Sequence, residues 1–295
     1  MPIIAAFAIQ DVSSWEKVSE EPRGKRPKFW VKDDRRQWLR KAPRVSRPLE
    51  PAIEATTLRL ALASGLAAPE SRACEWTDDE GSHRGILVAR FLDDPLESLA
   101  EGIQLLRGRD PAYDPELRGE HTLDRIRAAL TALEQDHPQA QLLQAFCDML
   151  FLDAWIGTSD RHQENWGMIN FPTGVKLAPI YDTAACLGVE LQPEHRLLAR
   201  VPSKDELKKY VERCSSGFGR GQNHLISQRQ VVAELKTSWP AEWHRSKRLI
   251  ENFGELLGEP LSEYLNTIPQ DWLPPERKQL VRALLEKRLE WLKQQ

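Results

Sequence analysis

The segment FLDAWIGTSDRHQENWGMINFPTGVKLAPIYDTAACLG, residues 151–188, alternates strongly apolar and strongly polar blocks. An apolar, helix-like run over 141–156 ends at Gly157, and the polar cluster 158–165 follows at once. A hydrophobic segment (166–171), a Pro-Thr-Gly turn and a second apolar run ending at Tyr181 and Asp182 come next. Two short strands joined by a tight turn would bring Asp160, Asn165 and Asp182 together at one end of a hairpin. Phosphoryl transfer in kinases uses such a trio: one aspartate orients the attacking hydroxyl, while an asparagine and a second aspartate hold Mg²⁺. The Asp-x-x-x-x-Asn spacing is that of a kinase catalytic loop. Taken singly, Asp and Asn at such positions are commonly strand caps. The spacing, the apolar helix ahead and the second aspartate closing an apolar run together favour catalysis. His162 reads as a histidine that hydrogen-bonds the loop on the nucleotide side, in preference to a metal ligand.

A chain of 295 residues suits one two-lobed domain or two small ones. Its 44 acidic and 41 basic residues leave a net charge of −3, which argues for neither a nucleic-acid nor a membrane partner. The basic residues are unevenly placed: between Lys17 and Arg47 there are 12 Lys/Arg against 4 Asp/Glu, a solvated or phosphate-facing run. Cys74, Cys147, Cys186 and Cys214 form no C-x-x-C pair, and the start lacks a signal-peptide pattern. No apolar run approaches the roughly 20 residues of a membrane span. Reduced thiols and a cytoplasmic protein are expected, without zinc, because no Cys or His pair has ligand spacing.

The first 48 residues read as strands and loops: an apolar start over 3–9, then runs at 28–31 and 37–41 with Asp33-Asp34 as their turn. A helix is predicted over 53–65 with Ile53, Thr57, Leu60, Ala61 and Ser64 on one face and Gly65 as its terminator. Strands are predicted at 70–76 and 85–91. After Asp94 the periodicity is helical. Helices are expected through 123–133, 142–156, 204–213, 227–236, 241–257 and 275–292, with the glycine-rich 215–221 as a mobile loop. The expected architecture is α+β, a two-lobed protein-kinase-like fold: a small β-rich N-terminal lobe over 1–95 and a large, mostly helical C-terminal lobe over 96–295.

Lys41 lies in a strand-like run. Pointing inward, it would bind ATP phosphates and pair with Glu54 at the start of the next helix. An exposed lysine and a glutamate favoured by the helix dipole stand level with that reading. Gly24, with Lys25, Arg26 and Lys28, forms either a phosphate-covering turn or a plain surface turn; it is no G-x-G-x-x-G.

These residues resemble the HipA-like serine/threonine kinases, bacterial toxin-type enzymes. Residues 156–167, IGTSDRHQENWG, are similar to the family's IGN-x-DRH-x-x-NWG, and residues 177–182, LAPIYD, to its LAPxYD. Weaker similarities are residues 24–30 (GKRPKFW), 39–41, Glu54 ahead of Gly65, and 87–91. The resemblance covers about 20–190 and leaves the C-terminal third matched only in being helical. It implies ATP- and Mg²⁺-dependent phosphorylation of a protein serine or threonine. It further implies an aminoacyl-tRNA synthetase as the kind of target, and neutralisation by a DNA-binding antitoxin. The chain is expected to be a short form without the extra N-terminal subdomain of the longest members; Asp182 precedes Thr-Ala-Ala instead of Phe-Gly, and no serine lies inside the glycine turn. Three other readings stay open: a phosphatidylinositol-type lipid kinase, an ATP-binding module without turnover, and a nucleic-acid binder using Phe29, Trp30 and Trp38. No direct nucleic-acid contact and no membrane span are expected.

Overall fold

A computed structural model describes residues 3–21, 28–92, 94–199, 203–221 and 224–295. Strands β1 (Ile9–Asp11), β2 (Glu16–Glu20), β3 (Lys28–Lys32) and β4 (Gln37–Lys41) precede helix α1 (Glu50–Ala63), and β5 (Ser71–Asp78) and β6 (Gly81–Ala89) follow it. The six strands form one sheet in the order β1-β5-β6-β4-β3-β2, antiparallel except for the β1–β5 pair. Side chains alternate between the faces of a strand. Trp38 and Arg40 therefore share the outer face, while Lys41 turns inward beside Lys28, its cross-strand partner.

On the outer face Trp38 is enclosed with Val31, Trp76 and Leu87. Arg36 lies 4.2 Å and Arg72 4.8 Å from its ring centre, and Lys17 lies 3.4 Å from that of Phe29. Trp38 is thus closed to a stacking base, and a lysine covers the half-buried Phe29.

Two N-terminal expectations change. Residues 3–8 form no strand; instead Phe7 packs edge-on against Trp272 at 5.6 Å and its N–H donates to Thr267 at 2.9 Å. Helix α1 is not one-faced: every residue from Glu50 to Ala61 is buried, because the sheet covers one side and C-terminal helices the other, where Thr56 meets Tyr264 at 3.1 Å. Gly65, at φ +82°, ends the helix in the left-handed conformation that glycine adopts without strain.

The second half is mostly helical but begins with a strand. β7 (Ser98–Glu101) runs into α2 (Gly102–Arg109), then come α3 (Leu123–Asp136) and α4 (Leu142–Ile156). A hairpin of β8 (Gly167–Phe171) and β9 (Gly174–Leu177) accepts β7 as its third strand, with Leu99 opposite Ile169. The short α5 (Arg196–Ala199) and α6 (Lys204–Glu212) lead to a second hairpin, β10 (Ser215–Gly219) and β11 (Leu225–Ser227). The glycine-rich 215–221 is thus largely a paired strand and not a mobile loop. Helices α7 (Gln228–Ser238), α8 (Pro240–Ser246), α9 (Arg248–Leu256), α10 (Glu259–Thr267) and α11 (Pro275–Lys293) complete the chain. The single helix expected over 241–257 is two, meeting at Lys247, where Arg248 turns onto Asp148 of α4 at 2.5 Å.

Helix α4 is buried on all sides from Phe146 to Ile156. Trp155 stacks on Phe253 at 4.1 Å, and Phe151 packs tilted against Trp243 at 4.5 Å. Everything that follows α4 in the site is hung from this fixed rod. No helix among the described residues is long and apolar enough to cross a membrane.

Candidate active site

The inner end of β4 and the first turns of α1 meet at the cleft. Lys41 Nζ donates to Glu54 Oε1 and, at 2.7 Å, to Asp182 Oδ1, while Lys28 Nζ lies 3.7 Å from Asp182 Oδ2. Lys41 and Glu54 are buried, which excludes the exposed reading of both. Burial alone would push the Lys41 ammonium down, but the Asp182 and Glu54 carboxylates outweigh it and hold its pKa above the ordinary lysine value.

Asp182 does not close the hairpin as the apolar run suggested. Strand β9 stops at Leu177, two residues before Pro179, which has no N–H for a ladder. Asp182 then takes φ +53°, a left-handed conformation that Asp tolerates better than most residues. Neighbouring contacts fix it there: Thr183 Oγ1 lies 2.5 Å from Thr57 Oγ1, one turn after Glu54, and the Tyr181 carbonyl accepts from Arg161 at 3.1 Å.

The loop that carries Asp160 starts where α4 ends. Gly157 at φ +72° and Thr158 both donate backbone N–H groups to Asp153 O, at 2.8 and 3.0 Å. Only glycine suits this turn, because a Cβ would also strike the buried Arg288 guanidinium at 2.3 Å. Arg161 is enclosed and grips both Asp153 carboxylate oxygens at 2.8 Å, and its remaining nitrogen donates to the Asn165 and Tyr181 carbonyls. One guanidinium therefore fixes the Asp160 loop, the start of β8 and the Asp182 segment relative to one another.

Asn165 Nδ2 donates to Asp160 O at 2.7 Å, so its amide oxygen is the end left to accept or coordinate. The Asp160 carboxylate keeps 42% exposure and has His162 Nε2 3.9 Å away. The His162 ring accepts the Glu164 N–H at 3.2 Å, and its own carbonyl accepts the Asn165 N–H at 2.9 Å. The loop thus brings Asp160, His162 and Asn165 together and joins them through Arg161 to Asp182. Gly24, Lys25 and Arg26 lie outside the described residues.

Behind the loop sits a buried imidazole that sequence reasoning missed. His121 Nδ1 donates to Gly217 O at 3.2 Å and Nε2 accepts from Trp166 Nε1 at 3.0 Å. Burial drives its pKa down to about 4, so it stays neutral and keeps both bonds. Arg161 with Asp153 was also missed, though an aspartate inside the apolar run 142–156 was the available signal: a buried carboxylate requires a partner.

Among the described residues no three His, Cys, Asp or Glu side chains cluster in a metal-holding group. Asp182 and Asn165 offer one carboxylate and one amide oxygen. That suits Mg²⁺, which takes one or two protein oxygens and fills the rest of its octahedron with water and phosphate.

Comparison with known proteins bears on this geometry. The family model described as the HipA-like C-terminal domain matches residues 21–243. No curated protein gives a significant sequence match. The proinflammatory kinase CtkA of Helicobacter pylori is similar in structure, with a TM-score of 0.75 at 14% identity, covering 96% of this chain and 95% of that one. HipA of Shewanella oneidensis MR-1, solved with HipB and its operator DNA, gives a TM-score of 0.54 at 14% identity, covering 95% of this chain and 67% of that one. At such identities these likenesses speak to the fold, which is protein-kinase-like.

Proposed function

The chain belongs to the HipA-like kinase family, and on that premise we propose that it is an ATP- and Mg²⁺-dependent protein serine/threonine kinase. The observation that carries this reading is the cluster in which Lys41 meets both Glu54 and Asp182. That charge arrangement is the one phosphoryl transfer needs at the nucleotide phosphates. In this reading residues 1–95 are the nucleotide lobe and 96–295 the catalytic lobe. Lys41, held by Glu54, binds the phosphates, with Gly24, Lys25 and Arg26 of the preceding turn alongside and His162 on the nucleotide side of the loop.

Asp182 and the amide oxygen of Asn165 are the proposed holders of Mg²⁺. Bound there, the ion would neutralise phosphate charge as it builds. Asp160 receives and orients the acceptor hydroxyl. Its exposure supports this part, since a group that serves a protein substrate must be reachable from outside. The Shewanella relative's complex with HipB and operator DNA supports a protein antitoxin as partner. The family resemblance makes a translation protein, such as an aminoacyl-tRNA synthetase, the proposed target.

Phosphate release and transfer from labelled ATP, with and without Mg²⁺, test the assignment in Asp182→Ala. The variant removes an oxygen donor and little volume, so it should fold and lose Mg²⁺-dependent turnover. Turnover within a few-fold of wild type would overturn the metal role of Asp182.

A further inference from the structure

Residues 216–218 and Gln228 grip the Asp160 loop at three points along its length. Gln228 Nε2, at the start of α7, donates to Thr158 O at 2.5 Å. Gly217 lies flat against the backbone of Arg161, so close that a Cβ there would stand 2.6 Å from Arg161 N, 2.9 Å from its C and 3.0 Å from its O. The Gly217 carbonyl accepts from His121, which in turn accepts from Trp166, the residue after Asn165. Phe218 stacks on the same imidazole at 4.9 Å. The hairpin is tied across and to its neighbour: Ser216 Oγ donates across it to Ile226 O at 2.6 Å, and Gly219 and Gly221 donate their N–H groups to His121 O and Gly119 O, both at 2.9 Å.

We propose that the β10–β11 hairpin is a positioning element for catalysis, with Gly217 the positioning residue that sets the height of Arg161 and hence of Asp160. Gly217 touches no reacting group; it acts through the backbone of the next element. Its absent side chain is a requirement of the contact, beyond what its φ of +82° demands. The kinetic part of this inference rests on the kinase reading above, whereas the mechanical part does not.

Three glycines in one hairpin separate the effects. Gly221 has φ +72° with nothing within 4 Å of a Cβ, so Gly221→Ala strains the backbone without touching anything. Gly219→Ala would strike Gly119 Cα at 2.3 Å at an ordinary φ, clear of Arg161 but two residues from His121. Gly217→Ala combines strain with displacement of Arg161.

The experiment measures amide hydrogen exchange over 157–166 and phosphate-transfer kinetics for all three variants. Exchange in that window should rise far more in Gly217→Ala than in Gly221→Ala. Its kcat should fall about 10-fold or more, since misplacing a reacting group by 1 Å can cost about 10²-fold, while the KM for ATP changes little. Equal losses in all three variants would mean general destabilisation and overturn the proposal, as would unchanged exchange in Gly217→Ala. Should Gly217→Ala fail to fold, Gln228→Met releases the Thr158 grip alone and should raise exchange at 157–160; no change there overturns the proposal too. A wild-type protein that transfers no phosphate would sink the kinase reading, leaving the exchange measurement to decide the positioning role.

Discussion

Lys41 and Arg161 are both buried cations that meet carboxylates at the cleft, yet their surroundings differ. Arg161 and Asp153 have no solvent exposure at all. Every polar contact of that guanidinium goes to Asp153 or to the backbone of the loop and the Asp182 segment. Lys41 is almost as deeply buried, but its partner Asp182 keeps 24% exposure and also faces Lys28. The Arg161 network is closed and holds backbone in place. The Lys41 network reaches solvent at one end, through Asp182; in the proposed reading that is where a phosphate would enter. A buried pair is expensive to break from one side whatever its net value, so the two cations should report in different measurements.

The largest effect belongs to the closed network. Arg161→Met leaves Asp153 charged, enclosed and unpaired, and should cost about 3–5 kcal/mol of folding stability in a denaturant titration. Adding Asp153→Leu should recover part of that loss. It should not restore activity, because the Asn165 and Tyr181 carbonyls still lack their donor. A single variant as stable as wild type would mean the network does not hold the loop.

His121 sharpens the contrast from behind the same loop. Its pKa of about 4 in the fold lies below the ordinary histidine value, so the unfolded chain takes up the proton first as pH falls. The stability it contributes is full above pH 6.5 and drains away towards pH 4, by about 3 kcal/mol in all. Denaturant midpoints across that range should show a shallower slope in His121→Gln. An unaltered slope would contradict the neutral, doubly bonded imidazole.

The open network should show itself most clearly in ligand affinity. Lys41→Met should weaken nucleotide binding by roughly 1.5–3 kcal/mol, the range for a lost hydrogen bond to a charged group. Its folding penalty falls on Glu54, which is buried and loses its ammonium, while Asp182 retains Lys28 and solvent. Titration calorimetry checks the first statement; unchanged affinity would remove Lys41 from the nucleotide site.

Local patterns made much of this readable from the sequence. Asp160, Asn165 and Asp182 stand in one continuous stretch, and the uniform apolarity of 142–156 marks a buried rod; for Lys41 the sequence leaves inward and exposed readings level, and its contacts with Glu54 and Asp182 decide between them. What escaped depends on partners distant in the chain. β7 is a strand only because Leu99 meets Ile169. Residues 215–221 look flexible because glycine permits φ > 0, yet Gly217 is glycine because Arg161 lies against it. Pro179 moved Asp182 out of the hairpin, and α10, with Pro260 in its first turn, lies beyond the expected helices.

The account turns on Asp160 serving the acceptor hydroxyl and not the nucleotide. ATP binding and phosphate transfer measured side by side on Asp160→Ala address that directly. Binding should remain near the wild-type value while transfer falls by roughly 10²-fold or more, the scale of a lost acid–base group. Binding lost together with transfer would make the loop a nucleotide holder, and transfer at the wild-type rate would put the catalyst elsewhere in the molecule.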